Sequence, residues 1–257
     1  MTDRPAKPTI AQIREISQPP SITGRSNAEH WVADLYLRKI SPYLTRLLLK
    51  TPITANGVTY LMIITGISIS AALLIPGYQG ILLALFLSQL QMLWDCCDGE
   101  IARWRDTRSP KGIFLDRIGH YLTESLIPIA FALRLSRWPE SSINDWKLPF
   151  TAALISIMIL LNKAFNDIVH VSRAFSQVAK LDDSKEAALS RSVLVRTLRA
   201  PFKIFAVQRL FHSVEQTLLI TLFGNNENLI HYGIFVALFV TLGHLVSILT
   251  SRKLDSR

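Results

Sequence analysis

The chain has 257 residues, of which 49% are hydrophobic and 18% charged, and its net charge is +9. In a soluble protein such a basic balance would suggest a nucleic-acid partner. Here the basic residues lie between long apolar runs, so we expect no nucleic acid and instead contact with anionic lipid head groups. The only cysteines, Cys96 and Cys97, are adjacent, which excludes a disulfide framework and favours small packing residues. The first twenty residues lack an apolar core, so we expect no cleavable signal peptide.

Six segments are long and apolar enough to cross a bilayer, which takes roughly 20 residues. The predicted spans cover about 58–76, 80–99, 112–135, 149–171, 202–223 and 229–250. The fifth is the weakest, because Lys203, Gln208 and Arg209 lie in its first half. We therefore predict an all-α, polytopic membrane protein whose residues 52–257 form a six-helix transmembrane catalytic domain.

The loops between the predicted spans alternate in basic residues. Lys and Arg are dense before the first span, after the second, after the fourth and at the C-terminus, whereas the loops after the first and fifth spans, GYQ and GNNEN, have none. The positive-inside rule then places both termini and the loop after the second span in the cytoplasm. We predict a multi-pass protein of the cell membrane with this sidedness.

Ahead of the first span, residues 29–51 mix apolar and basic side chains at near-helical spacing. This pattern predicts an amphipathic helix at the membrane interface, with Trp31, Tyr36 and Tyr43 at head-group depth. The alternative is a soluble helix packed under the bundle. Residues 1–28 are polar and contain several prolines, so we predict a flexible cytoplasmic tail.

An acidic motif, DCCDGEIARWRDTRSPKGIFLDRIGH, joins the second and third spans. Asp95 and Asp98 are three residues apart, and Asp116 and His120 are four apart, so each pair shares a helix face. Because one short loop connects the two helices, we expect three carboxylates and an imidazole to converge at the cytoplasmic membrane edge. Such acids repel one another unless cations bind between them, and hard oxygen ligands favour Mg²⁺, Mn²⁺ or Ca²⁺. Two such ions are the usual device for displacement at phosphorus.

Small and basic residues accompany these acids. Gly99 and Gly112 permit close approach of a ligand to the backbone, and Arg103 offers a planar fork for phosphate oxygens. The remaining acids of the motif, Glu100 and Asp106, fall off the shared faces and are interpreted as solvated charges.

The motif resembles the signature of the CDP-alcohol phosphotransferases, DxxDGxxARx8GxxxDxxxD, at seven positions. They are Asp95, Asp98, Gly99, Ala102, Arg103, Gly112 and Asp116. The resemblance implies transfer of a phosphoalcohol from a CDP-linked donor, most simply CDP-diacylglycerol, to a hydroxyl or polyol acceptor, with release of CMP. It also implies that the three aspartates hold two Mg²⁺ or Mn²⁺ ions, that Gly99, Ala102, Arg103 and Gly112 contact the nucleotide, and that the protein is a homodimer.

The last motif position departs from this family, because His120 stands where the signature has a fourth aspartate. Imidazole is largely neutral at cytoplasmic pH and is a competent general base, so one hypothesis gives His120 the catalytic base role. A second is a subfamily with a different acceptor and a shifted base. A third is a catalytically degenerate protein that acts as a membrane metal-binding or scaffold protein.

Three further residues have two interpretations each. Lys163, inside the fourth span, is either a contact for an acceptor phosphate, as the resemblance implies, or a partner of Asp167; Arg173 is a similar candidate. Glu124, one turn after His120, is interpreted either as a group that orients this imidazole or as a packing residue.

Within the same enzyme class, a CDP-linked polar alcohol with a lipid hydroxyl is the rival substrate pair. A carrier is disfavoured, because transporter sites lie near the bilayer midplane.

Overall fold

The computed structural model describes residues 4–5, 7–20, 30–140, 142, 145–178, 207–251 and 254. Within these ranges every regular element is helical, which confirms the all-α prediction. The α-helices are α1 (Ile10–Ser17), α2 (Arg38–Leu48), α3 (Ala55–Leu73), α4 (Tyr78–Arg105), α5 (Pro110–Leu135), α6 (Lys147–Phe175), α7 (Ser213–Phe223) and α8 (Asn228–Leu249). A π-helical turn, Ala33–Leu37, precedes α2, and a 3₁₀ turn, Val207–Phe211, precedes α7.

Four of these helices, α3, α4, α6 and α8, are long and apolar enough to cross a membrane. They correspond to the first, second, fourth and sixth predicted spans, so the chain has the helices of a membrane protein. Helix α4 continues to Arg105, six residues beyond the predicted end of the second span. The first acids of the motif therefore lie inside a helix.

The third and fifth predicted spans stay predictions. Helix α5 has 26 residues, which suffices in length, but it carries six basic or acidic side chains: Lys111, Asp116, Arg117, His120, Glu124 and Arg134. Helix α7 has only 11 residues, fewer than a crossing needs, and the predicted start of the fifth span at 202–206 lies outside the described residues. So do most of the cations predicted to mark the cytoplasmic loop after the fourth span.

The chain divides into two compact units. The first contains residues 1–69 and 86–123, and the second contains residues 70–85 and 124–257. All motif residues from Asp95 to His120 belong to the first unit. The predicted domain limits at residues 28 and 51 stay predictions.

Side-chain oxygens cap the N-termini of α3 and α5. Thr54 Oγ1 accepts a hydrogen bond from the Gly57 amide at 3.0 Å, so Thr54 caps α3. Ser109 Oγ accepts from the Gly112 amide at 3.1 Å, and Pro110 occupies the first turn of α5, where its missing N–H costs nothing. Only four residues separate α4 from α5, so the end of one helix leads directly to the start of the other.

Two glycines allow α3 and α5 to approach closely within the first unit. A Cβ added at Gly119 would clash with Met62 and would lie 2.9 Å from Cγ1 of Ile63, and one at Gly66 would clash with the side chain of Thr123. Small residues at such crossings are the usual way in which membrane helices pack. This close packing fixes the position of the first turns of α5.

The segment before α3 is helical in two parts. From Trp31 to Leu48 the backbone is helical throughout, and the large side chains of Trp31, Leu35, Tyr43 and Leu47 are exposed on it. Their exposure supports the interfacial helix, which stays a prediction. Within the predicted flexible tail, Ile10–Ser17 forms α1, a helix with a capping box at Thr9 and with Ile13 fully buried.

The second unit buries an arginine at the end of α3. The guanidinium of Arg134 donates to the carbonyls of Leu73 at 2.9 Å, Ile75 at 2.6 Å and Gly77 at 2.7 Å. The last carbonyls of a helix have no intrahelical donor. Arg134 is the donor for the last carbonyl of α3, that of Leu73, and for two carbonyls of the turn that follows.

Candidate active site

Two carboxylates and an imidazole meet between α4 and α5 in the first unit. His120 Nε2 lies 3.2 Å from Oδ1 of Asp95 and 3.6 Å from Oδ1 of Asp116. One ligand atom of each residue lies within 4.8 Å of the other two. The side chains are partly accessible, with exposed fractions of 22% for His120, 26% for Asp95 and 41% for Asp116. The predicted convergence of these three residues is therefore present.

Asp98 lies one helical turn after Asp95 and has a hydroxyl partner. Thr59 Oγ1, on α3, donates to Oδ2 of Asp98 at 2.7 Å. The carboxylate also feels the charges of Asp95 and Asp116, which repel it. Asp98 thus lies beside the acid cluster, held by a neighbouring helix.

The donor set suits a hard divalent cation. Carboxylate oxygens are the ligands that Mg²⁺ and Mn²⁺ prefer, and an imidazole is compatible with Mn²⁺. The carboxylates also repel one another, and a bound cation would offset this repulsion. The residues present therefore fit the implied metal.

Arg103 lies over Gly99, one turn earlier on α4. A Cβ at position 99 would be 2.9 Å from Nη1 and 3.1 Å from Nη2 of Arg103, so the absent side chain makes room for the guanidinium. Arg103 Nε donates to the carbonyl of Ser17 at 2.6 Å. The predicted role of Gly99 was space for a ligand; part of that space holds Arg103.

The other two predicted nucleotide contacts lie nearby in the same unit. Gly112 is in the first turn of α5, where a Cβ would lie 3.1 Å from Oδ1 of Asn56. Ala102 is partly buried and packs against the apolar cluster that contains Val58 and Ile101. Gly112 thus faces a polar side chain and Ala102 lies against apolar ones, and both nucleotide contacts stay predictions.

The interpretation of Glu100 as a solvated charge is wrong. Its side chain is fully buried, and its carboxylate accepts hydrogen bonds from Ser41 Oγ, from Thr45 Oγ1 at 2.6 Å and from Gln18 Nε2 at 2.8 Å. Arg38 Nη1 lies 3.7 Å away. A buried carboxylate is tolerated only with such partners. Asp106, by contrast, is exposed as expected.

Lys163 belongs to the second unit and pairs with Glu124. Its Nζ lies 2.7 Å from Oε2 of Glu124, whose side chain is 2% exposed, and Nδ1 of His212 lies 3.5 Å from Oε1. Glu124 thus has a cationic partner that sequence reasoning did not assign to it. Arg173 is in the last turn of α6, in the same unit.

These features define an all-helical protein with four helices suited to a membrane and, in one of its units, a cluster of side chains that fit a divalent cation. Residues 52–162 match the family model of the CDP-alcohol phosphatidyltransferase domain. The family implies transfer of a phosphoalcohol from a CDP-alcohol, and its members use divalent metals. The match contains the whole motif and ends one residue before Lys163. A search of the curated proteins found no match to the chain.

Sequence reasoning missed the residues that hold the motif from outside it. Thr59 supports Asp98 from α3, and Ser17 and Gln18 contact Arg103 and Glu100 from a segment predicted as a tail. A signal was present for α1, because Thr9 and Gln12 have the spacing of a capping box. The contacts of Ser17 and Gln18 with α4 span more than eighty residues and have no local signal.

Proposed function

We propose that the protein is an integral-membrane transferase of phospholipid biosynthesis, which moves a phosphatidyl or other phosphoalcohol group from a CDP-linked donor to a hydroxyl acceptor and releases CMP. CDP-diacylglycerol is the first donor to test. The single observation that carries the proposal is the convergence of Asp95, Asp116 and His120 inside the segment that matches the family.

Two divalent ions, either Mg²⁺ or Mn²⁺, would be held by Asp95, Asp98 and Asp116. Bound there, the ions would supply positive charge that neutralises and orients the donor's pyrophosphate. The hydroxyl of Thr59 holds one oxygen of Asp98 and so limits the rotation of this carboxylate. Such support of ligating carboxylates is common around metal sites.

Arg103 provides the nucleotide side of the site, together with Gly99, Ala102 and Gly112. Its guanidinium matches the geometry of phosphate oxygens and, unlike an amine, stays charged throughout the reaction. Because Gly99 has no side chain, the guanidinium rests against the helix backbone. This placement limits the conformations of Arg103 before the donor binds, which lowers the entropic cost of binding.

His120 would act as the catalytic base. The acceptor oxygen forms a bond to the β-phosphorus of the donor, the bond from that phosphorus to the bridging oxygen breaks, and CMP leaves with the electron pair. The acceptor's proton passes to the imidazole. The carboxylates of Asp95 and Asp116, both within 3.6 Å of Nε2, would stabilise the positive charge that results.

Two basic residues are candidates for binding the acceptor. Lys163 and Arg173 remain candidate contacts for an acceptor phosphate, and the pairing of Lys163 with Glu124 supports a structural role for Lys163 instead. We further propose a homodimer in the cell membrane, with both termini and the active site on the cytoplasmic side.

The test is release of CMP by the purified full-length protein in detergent or nanodiscs. CDP-diacylglycerol and a CDP-linked polar alcohol would each be supplied with Mn²⁺ or Mg²⁺ and a panel of alcohols, polyol phosphates and lipid hydroxyls. CMP is expected with one donor and one acceptor class. Absence of CMP with every donor, from protein that is folded, would refute the transferase.

A second candidate is a degenerate family member that acts as a membrane metal-binding or scaffold protein. The presence of His120 at the last motif position favours it, because the site has one carboxylate fewer than the family pattern. Mn²⁺ would then raise the melting temperature of the protein, with no turnover of either donor.

A further inference from the structure

Residues 4–18 interact with the motif end of α4 within the first unit. Ile13 is fully buried and Ser17 is buried, so α1 is packed against the unit through its apolar face. The segment makes polar contacts with three successive parts of the unit: the end of α4, the buried carboxylate of Glu100, and α2. These contacts include carbonyls at the ends of α1 and α4, which lack intrahelical partners.

The first contacts cap two helices reciprocally. Arg4 Nη1 donates to the carbonyls of Arg103, at 2.7 Å, and Trp104, which are among the last four of α4. In return, Arg103 Nε donates to the carbonyl of Ser17, the last residue of α1. Helix ends leave such carbonyls unsatisfied, and cationic side chains suit them because of the helix dipole.

The second contacts join α1 to the interior of α4. Ser17 Oγ donates to the carbonyl of Glu100 at 3.1 Å, and Gln18 Nε2 donates to the Glu100 carboxylate at 2.8 Å. Both groups are on the turn that precedes Arg103. The segment is thus tied to α4 at Glu100, Arg103 and Trp104, all of which follow Gly99.

A third contact ties the segment to α2. Pro42 has no N–H to donate to the carbonyl of Arg38, four residues earlier, and Gln18 Nε2 donates to that carbonyl at 2.8 Å. Gln18 therefore connects a break in the hydrogen bonding of α2 with the buried Glu100.

We infer that residues 4–18 are a positioning element of the donor site: the Ser17 carbonyl holds Nε of Arg103 so that the guanidinium lies over Gly99, where it would contact a donor phosphate. The inference rests on the proposed function, because it assigns the segment an effect on the CDP-linked donor. It adds a part of the chain outside the matched residues 52–162 to the nucleotide site. The segment acts through Arg103 and does not itself touch the reacting atoms.

The test is a double-mutant cycle read by binding of CDP. Full-length wild type, Ile13→Asp, Arg103→Ala and the double variant are titrated with CDP in Mn²⁺ by calorimetry. Ile13→Asp removes the packing of α1, and we expect it to weaken CDP binding by about tenfold, the loss of one charge-assisted hydrogen bond. In the Arg103→Ala background the same change should have no further effect, because the residue through which α1 acts is gone.

Glu15→Ala is the matched control, because Glu15 lies on the exposed side of the same helix. It should bind CDP as the wild type does. Arg4→Gln is the milder second variant, should Ile13→Asp fail to fold; it removes the cap of α4 and should weaken CDP binding by about threefold, a fraction of one hydrogen bond. Hydrogen exchange at the last turn of α4 reports whether the segment has detached, which we expect in Ile13→Asp and not in Glu15→Ala.

The outcomes separate the two proposals. Equal CDP affinity in wild type and in a variant with a detached segment overturns the inference and leaves the transferase intact. An equal loss in the wild-type and Arg103→Ala backgrounds also overturns it, because the segment would then act on stability in general. A folded wild type that binds no CDP overturns the proposed function and, with it, the inference.

Discussion

One acid of the second unit and three acids of the first are partnered in opposite ways. In the second unit, Glu124 is almost completely buried and is paired with Lys163 at 2.7 Å. In the first unit, Asp95 and Asp116 are grouped around one imidazole, and both repel the neighbouring carboxylate of Asp98. A matched pair is stable as it is, whereas a group of like charges is costly until a cation joins it. From this difference we expect the first group to be a binding site and the second to be part of the protein's framework.

The largest effect should follow from neutralising a carboxylate of the proposed metal site. We expect Asp98→Asn to lower the rate of CMP formation by about a thousandfold, because metal ions contribute several kcal/mol at the transition state. The measurement is initial rate at saturating Mn²⁺. Asp106→Asn is the matched control, an exposed acid of the same motif that should change little. Equal rates in the two variants would contradict the role of Asp98.

The matched pair should be a determinant of stability. Lys163→Met leaves the buried Glu124 carboxylate without its closest cation, and we expect a loss of about 3–5 kcal/mol in the free energy of unfolding. Removing both charges, with Lys163→Met and Glu124→Gln together, should restore most of it. Thermal melting in detergent measures this. If Lys163→Met melts as the wild type does while acceptor binding is lost, Lys163 is an acceptor contact and the comparison fails.

Cation binding should stabilise the acid cluster. At a concentration of one hundred times its Kd, Mn²⁺ should raise the stability of the wild type by about 2.7 kcal/mol through binding linkage. Asp95→Asn should reduce this gain, whereas the Lys163→Met and Glu124→Gln double variant should keep it. Melting curves with Mn²⁺ and with chelator provide the values. A gain that survives in Asp95→Asn would place the cation elsewhere.

Substitutions of His120 test whether its imidazole is the catalytic base. We expect His120→Asp to retain about ten times the activity of His120→Ala, because a carboxylate can still accept the proton and bind a cation. The measurement is kcat for CMP release at one pH and at saturating donor. Equal loss in both variants would remove His120 from the base role and favour a shifted base.

The smallest expected effect is the change in stability when one charge is removed from the acid cluster or from the Lys163–Glu124 pair. Without divalent cations, Asp116→Asn should stabilise the protein by about 1 kcal/mol, because it removes one of the repelling charges in a partly exposed cluster. Glu124→Gln should do the opposite in the second unit. Melting in chelator compares the two. A loss of stability in Asp116→Asn would show that the cluster is already balanced within the first unit.

Local signals in the sequence were sufficient for much of the fold. The apolar runs predicted four helices to within a few residues, except that the second span continues to Arg105. The spacing of Asp95, Asp116 and His120 predicted their convergence, because a short connection joins the ends of two helices. The prediction about Glu100 was wrong, since burial depends on which other groups are in reach.

The sequence by itself determined an all-helical chain with the hydrophobicity of a membrane protein and a motif whose acids meet, because helical period and span length are local properties. Only the tertiary structure decided which partner each charged group has: Thr59 for Asp98, Ser17 for Arg103 and Lys163 for Glu124. Those pairings join residues separated by 39, 86 and 39 positions, respectively. Their partners are chosen by packing, which no local pattern encodes.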